Sequence, residues 1–383
     1  MINVSKLYCG LAGQSDELRY AGAKTTRPIA VYNCTARCNL KCLHCYSSSD
    51  ANQSANELST SQAKQLLSQL ADYGCPVVLF SGGEPLLRDD LFELISYAGG
   101  LGLKTVVSTN GTLIDRPAAQ RLAEAGISYV GISIDGPEPF HDMFRAVKGS
   151  FQATLQGVAN CRKTGIRTGL RFTMTKHNAD QIEAVFDIAE NSGIRRICFY
   201  HLIRTGRAEK LNDQALSARR TRNAVDTIIE KTDLFVNDDL VDEVLTVGNH
   251  ADGPYLLRRM NLENSPLAEK AVKLLMANGG NRIGQNIASI NWNGEVFCDQ
   301  FWRNYSLGNV TEKPFGQIWD NSSDPVLHKL RNKSKYRDPR CTKCKWFELC
   351  KGNFRFLGSD CAIEHWQNEP VCYLTDEEIG ISN

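Results

Sequence analysis

From about residue 29 the chain alternates short apolar runs with stretches in which apolar residues return every three or four positions. The apolar runs at residues 29–32, 76–80, 103–108, 128–134, 168–175 and 196–201 read as strands. Helical periodicity follows at residues 59–73, 89–99, 116–125, 151–163 and 179–191. Strands that are apolar throughout, separated by helices, predict a parallel sheet covered by helices. Six such units predict an α/β fold, a partial (β/α)6 barrel of TIM type, with its chemistry at the C-terminal ends of the strands. Beyond residue 205 the pattern changes. Residues 208–284 are charged and helix-like, with a turn at Asp252-Gly253-Pro254 and a short amphipathic helix at 268–277. Runs at 287–292 and 295–301 flank Asn293-Gly294, a preferred two-residue hairpin turn. The pattern divides the chain into an N-terminal arm (1–28), the barrel (29–205), a helical bridge (206–284) and a C-terminal module (285–383).

Composition narrows the class. The 383 residues are 42% apolar and 23% charged, an ordinary globular balance. A formal net charge of +1 offers no global field for nucleic acid or membrane surfaces. No apolar run approaches membrane-span length, and residues 1–6 show no export signal, so a cytoplasmic protein is expected. The three arginines Arg219, Arg220 and Arg222 read as a solvated helix face. Fourteen cysteines are unusual, and they cluster at 34–45 and 341–372, which favours metal binding over a disulfide framework.

The first cluster contains Cys38-x3-Cys42-x2-Cys45-Tyr46, on a loop after the first strand. Three thiolates at this spacing suit a [4Fe–4S] cluster and leave one iron open. An open metal position is where chemistry takes place. A structural zinc site, with His44 as fourth ligand, is the alternative. After the second strand comes Ser81-Gly82-Gly83-Glu84-Pro85. Its glycines allow close backbone approach, and the Glu84 carboxylate suits an aminium group. Polar residues also end the third and fourth strands: Ser108, Thr109 and Asn110, then Ser133 and Asp135. They are placed to bond ribose hydroxyls or a carboxylate, or simply to cap the helices that follow.

The cysteine spacing with Tyr46, and the Gly-Gly-Glu-Pro turn behind it, resemble the radical S-adenosylmethionine (radical SAM) superfamily. The resemblance implies that SAM chelates the open iron of the Cys38/Cys42/Cys45 cluster and is cleaved reductively to methionine and a 5′-deoxyadenosyl radical. It implies that Tyr46, Gly82, Gly83, Glu84, Ser108, Asn110, Ser133 and Asp135 line the SAM site, with Glu84 on the amino group. Arg145 is expected near the SAM carboxylate, with a surface salt bridge as the other reading. Thr173 and Leu202 are expected neighbours of the adenine or the substrate.

The second group, Cys341-x2-Cys344-x5-Cys350 with Cys361 and Cys372 beyond, together with the hairpin, resembles the SPASM/Twitch extension of such enzymes. The resemblance implies one auxiliary [4Fe–4S] cluster on Cys341, Cys344, Cys350 and Cys372. A zinc knuckle of the same four cysteines is the alternative. The chain departs from the two-cluster pattern: Phe354 stands where a further cysteine belongs, and Cys298 and Cys361 alone do not suffice for a second auxiliary cluster. Cys9, Cys34, Cys75, Cys161 and Cys198 read as plain thiols.

The opening segment (residues 5–10 and 18–20) and the cysteine layout are most similar to tetrapyrrole-modifying members, the 12,18-didecarboxysiroheme deacetylases (AhbC) and NirJ-like heme-pathway proteins. That resemblance implies loss of acetate or propionate side chains from an iron tetrapyrrole, with a flavodoxin- or ferredoxin-type electron donor as partner. An anionic macrocycle calls for cations, so Arg19, Arg204 and Arg207 are substrate candidates, with His201 near the iron. The rival is a SPASM/Twitch maturase of a ribosomally made peptide. Only 28 residues precede the first strand, too few for the winged-helix peptide-binding domain such maturases often carry.

Overall fold

The computed structural model describes residues 1–11, 27–51, 56–211, 214–353 and 371–381. Among these residues eleven strands form one sheet: β1 (Ile2–Asn3), β2 (Ile29–Thr35), β3 (Val77–Gly82), β4 (Lys104–Thr109), β5 (Tyr129–Ser133), β6 (Thr168–Met174), β7 (Arg196–His201), β8 (Glu243–Val247), β9 (Ile287–Ile290), β10 (Glu295–Phe297) and β11 (Gly308–Asn309). Their order is β1-β8-β7-β6-β5-β4-β3-β2-β9-β10-β11. Strands β2 to β8 are parallel, and each lies beside its predecessor in sequence. Sequential parallel order is that of a barrel wall, left open here between β1 and β11.

All six expected strands are present, with helices between them. The helix Thr60–Asp72 shows why the local sequence folds as it does. Ser59 and Gln62 form a reciprocal capping box, and Ala63, Leu66, Leu67 and Leu70 bury one face. Asp115 caps the next helix but one (Arg116–Glu124), with Pro117 in its first turn.

Three features differ from the sequence reading. The charged bridge contains a seventh parallel strand, β8, whose Val244 and Leu245 are buried. The N-terminal β1 pairs antiparallel with it, Ile2 opposite Thr246. Asp252-Gly253-Pro254 is not a turn but the first turn of the helix Asp252–Leu262, where a proline lacks only an N–H that would have no helical partner. Arg222 is not a solvated residue: it donates to the Tyr373 carbonyl (2.7 Å) and pairs with Glu378.

The hairpin is where the sequence placed it, with Gly294 at φ +89° and Val296 opposite Ile290. Its first strand also pairs parallel with β2, Ile29 opposite Ile287 through Tyr32 opposite Ile290. The hydrogen-bond ladder therefore runs from the barrel into the C-terminal module without a break.

At the other side of the wall, four aromatic rings fill the space between sheet and helices. Phe172 on β6 and Phe199 on β7 meet at 5.8 Å. Phe199 stacks on Phe186 at 5.4 Å, and Phe186 meets Phe235 edge-on at 5.0 Å. Phe199 has no exposed surface. Phe199→Ala is expected to lower unfolding stability by about 3–5 kcal/mol. Denaturant unfolding checks this as a lower midpoint at unchanged slope.

Candidate active site at the barrel mouth

The Cys38/Cys42/Cys45 loop leaves the C-terminal end of β2 and is held by backbone contacts with the turn after β3. Gly83 N donates to Thr35 O and Glu84 N to Arg37 O, both at 2.8 Å. A Cβ on Gly83 would lie 1.9 Å from the Arg37 carbonyl oxygen, and one on Gly82 (φ +125°) 2.4 Å from that of Thr35. Only glycine permits this approach.

Other groups close the loop from the far side. Arg207 donates through Nε to Cys42 O (2.7 Å) and through Nη1 to Ser49 O (2.8 Å), and its own N–H reaches Cys45 O (3.0 Å). Gly206, at φ +61°, passes so close that a Cβ would meet Tyr46 O at 2.4 Å. Tyr46 donates to Asn33 Oδ1 (2.9 Å) and contacts Ser81 Oγ (3.1 Å), which fixes its ring over β2 and β3.

The three thiols are gathered with Leu40 in a small cluster apart from the main core. Each has a polar neighbour suited to a thiolate. Leu40 N donates to Cys38 Sγ (3.4 Å), Arg145 Nη1 to Cys42 Sγ (3.5 Å), and Ser47 Oγ lies 3.3 Å from Cys45 Sγ. Burial pushes the Cys38 thiol up to about 12 and raises Cys42. Bound iron would deprotonate such thiols outright. The donor set thus fits a cluster held by three thiolates. Cys34, by contrast, donates to Ser81 O (3.4 Å) deep in the core.

Glu84 has no exposed surface. Its carboxylate accepts from Thr109 Oγ1 (2.7 Å), Asn110 N (2.8 Å) and Leu86 N (3.2 Å). Burial nevertheless raises it to about 7, outweighing these bonds and the Arg145 charge. Asn110 Nδ2 donates to Asn39 Oδ1 (2.9 Å), tying the end of β4 to the cysteine loop. Ser108 is turned toward the half-buried Arg171, which donates to it. Asp135, fully buried at the end of β5, pairs with Arg145 Nε (2.7 Å) and lies 3.8 Å from His44 Nε2. The Arg145 charge holds the Asp135 carboxyl below its usual range against desolvation. Arg145 therefore bridges Asp135 and Cys42. Ser133, Thr173 and Leu202 are half-buried at the ends of β5, β6 and β7.

The substrate candidates separate. Arg19 lies outside the described residues. Arg207 is engaged with the cysteine loop. His201 Nε2 lies 2.8 Å from Asp252 Oδ2, and Asp252 Oδ1 accepts from Tyr373 at 2.8 Å. Arg204 lines a cavity beside Tyr46. Sequence reasoning missed Asn33 and Asn39; it named Ser81 only as the start of the glycine turn and Thr109 only as a strand-end polar residue. Only the Gly206-Arg207 pair carried a signal, a glycine where a chain must pass closely.

Cys341, Cys344, Cys350 and Cys372 line one cavity of about 480 Å³, with Trp346, Phe347 and Leu374 on its walls. Burial raises each of the first three thiols, Cys341 to about 11. Among the described residues no three His, Cys, Asp or Glu side chains, these four cysteines and Cys38, Cys42 and Cys45 included, are drawn in to the separations of a metal's ligand set. The walls are firmly clipped: Trp346 Nε1 donates to Glu378 O (2.9 Å), and Asn249 Nδ2 to Val371 O (2.8 Å). Four thiols sheltered by aromatic walls fit an iron–sulfur cluster. Cys361 lies outside the described residues, and Cys298 is fully buried beside Lys333 and Asp299. Cys75, Cys161 and Cys198 are buried.

An open parallel barrel with a three-cysteine loop at its mouth, backed by a glycine pair and a buried glutamate, defines a radical SAM protein. Residues 32–189 match the radical SAM superfamily and residues 282–345 the SPASM iron-sulfur cluster-binding domain. The chain belongs to the radical SAM superfamily, whose cofactors are SAM and a SAM-binding [4Fe–4S] cluster, with auxiliary iron–sulfur in the SPASM domain. More particularly, it is 47% identical to Fe-coproporphyrin III synthase of Methanosarcina barkeri, over 99% of both chains. It is 37% identical to pre-heme d1 synthase of Dinoroseobacter shibae, over 93% of this chain and 88% of that one. The solved structure of Streptococcus suis SuiB bound to S-adenosylmethionine has the same fold, with a TM-score of 0.67 at 19% identity over 86% of this chain and 73% of that one. Among the described residues no helix is long and apolar enough to cross a membrane.

Loss of the Arg207 clamp has a readable consequence. Arg207→Gln is expected to halve, or worse, the iron retained after anaerobic reconstitution. A residue that acted on substrate alone would leave iron content intact and change only KM.

Proposed function

We propose that this protein is a radical SAM enzyme of heme biosynthesis that removes acetate side chains from 12,18-didecarboxysiroheme. The observation that carries this reading is the 47% identity, end to end, to an Fe-coproporphyrin III synthase. The pre-heme d1 synthase likeness points to the same class of iron-tetrapyrrole chemistry. Loss of acetate arms from the proposed substrate leaves an iron tetrapyrrole that keeps its propionates. The likeness to SuiB is one of fold and lends the peptide-maturase rival no further support.

In this reading Cys38, Cys42 and Cys45 hold the SAM-binding cluster, and Cys341, Cys344, Cys350 and Cys372 hold one auxiliary cluster. When bound, the first cluster and SAM supply the 5′-deoxyadenosyl radical that abstracts hydrogen from the substrate side chain. Glu84, fixed by Thr109 and Asn110, receives the aminium of the methionine moiety. Gly82 and Gly83 let the backbone approach it. Asn110 and Asp135 orient the nucleoside and carboxylate end, with Ser108, Ser133, Thr173 and Leu202 around them. Arg145, held by Asp135, donates to Cys42 Sγ and so sets the polarity around the thiolates. A flavodoxin- or ferredoxin-type donor in the cytoplasm delivers the electron.

The decisive experiment incubates reconstituted protein, SAM and reductant with 12,18-didecarboxysiroheme and reads the product by mass spectrometry. Loss of acetate mass is expected; an unchanged macrocycle sinks the substrate assignment. Glu84 gives a second test. Its carboxylate fraction falls as pH drops through about 7, while the SAM aminium stays protonated. SAM affinity should therefore weaken about tenfold for each pH unit below 7, because only the ionised form binds. Equilibrium binding between pH 8 and 6 measures this, and Glu84→Gln should bind weakly at every pH.

A further inference from the structure

One cavity at the barrel mouth is not accounted for by the cysteine loop or by the Glu84 cradle. It is about 210 Å³ and lies between Tyr46 of the cysteine loop, Arg204 beyond β7, and Phe301 and Arg303 beyond the hairpin. Phe301 meets the Tyr46 ring edge-on at 5.3 Å and forms an aromatic wall. Arg303 lies over two rings, 5.1 Å from Trp292 and 5.9 Å from Tyr46. Its Nη1 is buried and has no hydrogen-bond partner among the described residues. Among the described residues neither Arg303 nor Arg204 forms an ion pair; Glu209 stands exposed at the rim and pairs with neither.

A buried guanidinium N–H without a partner is destabilising, because nothing offsets the loss of its water. Native proteins leave few such groups, and those they leave call for an explanation. Here two guanidinium forks from different elements face one space walled by aromatic rings, the geometry that recognises carboxylates bidentately. The size decides what part of a ligand enters. Pockets that take a whole drug-sized ligand run to about 300–1,000 Å³. A tetrapyrrole ring is too large for this cavity, while a carboxylate-bearing arm is not.

We propose that this cavity seats a propionate arm of the macrocycle, gripped by Arg303 and Arg204, and so docks the substrate beside Tyr46 and the cysteine loop. The inference rests on the heme-pathway reading above and adds the site that recognises the substrate's carboxylates. It also assigns a role to the hairpin: Phe301 and Arg303 follow directly from it, so the C-terminal module completes the substrate site.

The test is binding of Fe-coproporphyrin III to the reconstituted holoenzyme, followed by anaerobic absorbance titration, beside its tetramethyl ester. Wild-type protein should bind the free acid about tenfold or more tightly than the ester, the equivalent of one charge-assisted bond. Arg303→Gln and Arg204→Gln should each lose most of that preference, and Arg303→Lys should keep part of it. Arg204 has no partner among the described residues, so Arg204→Gln and the ester comparison remain decisive if Arg303→Gln reconstitutes poorly. Equal affinity for acid and ester, or variants that bind as tightly as wild type, overturn the arm seat while leaving the heme-pathway reading in place. Failure of wild-type protein to bind either porphyrin overturns that reading and the seat with it.

Discussion

The close passage of Gly83 against Arg37 is the contact on which the active site depends. Two backbone hydrogen bonds join the turn after β3 to the loop after β2, and a side chain on Gly83 would stand inside the Arg37 carbonyl. This contact places Glu84 and the three cysteines at fixed separation, although they lie on different strands. Arg207 then closes the loop from β7. Four neighbouring groups follow from that fixation: Tyr46 on Asn33 and Ser81, Asn39 on Asn110, Thr109 on Glu84, and Arg145 between Asp135 and Cys42. The chemistry is borne by few residues, and most of the polar residues around them serve to hold those few in place.

Much of this was legible from the residues. The six strands were readable because strands buried on both faces are apolar throughout, and the hairpin because Asn-Gly is nearly specific to a tight turn. The cysteine triplet and the Gly-Gly-Glu-Pro turn were readable as local spacing. β8 was not, because Asp242 and Glu243 break its apolar run and its neighbours on either side are charged. The pairing of β2 with β9 joins segments some 258 residues apart, and nothing local records it. Arg207 was read as a candidate substrate cation, and its hold on the cysteine loop went unseen because a bond from a side chain to a distant carbonyl leaves no mark in the sequence.

The two cysteine sites are joined by more than sequence. His201 ends β7 at the barrel mouth, Asp252 opens the helix after β8, and Tyr373 follows Cys372; one line of hydrogen bonds runs through the three. Arg222, on the helix before β8, and Asn249, just beyond β8, fasten the same C-terminal segment to the barrel. The auxiliary cavity is thus set against the barrel rather than hung from a linker.

The shared ladder between β2 and β9 has an architectural consequence. In a barrel that stopped at its last helix, β2 would be a bare edge, with its row of amide and carbonyl groups open to any passing strand. Here the hairpin takes that row. The C-terminal module is therefore a wall of the same building as the barrel. Removing it would lay that row bare, so the module guards the barrel against strand addition at β2 as well as carrying its own cysteines.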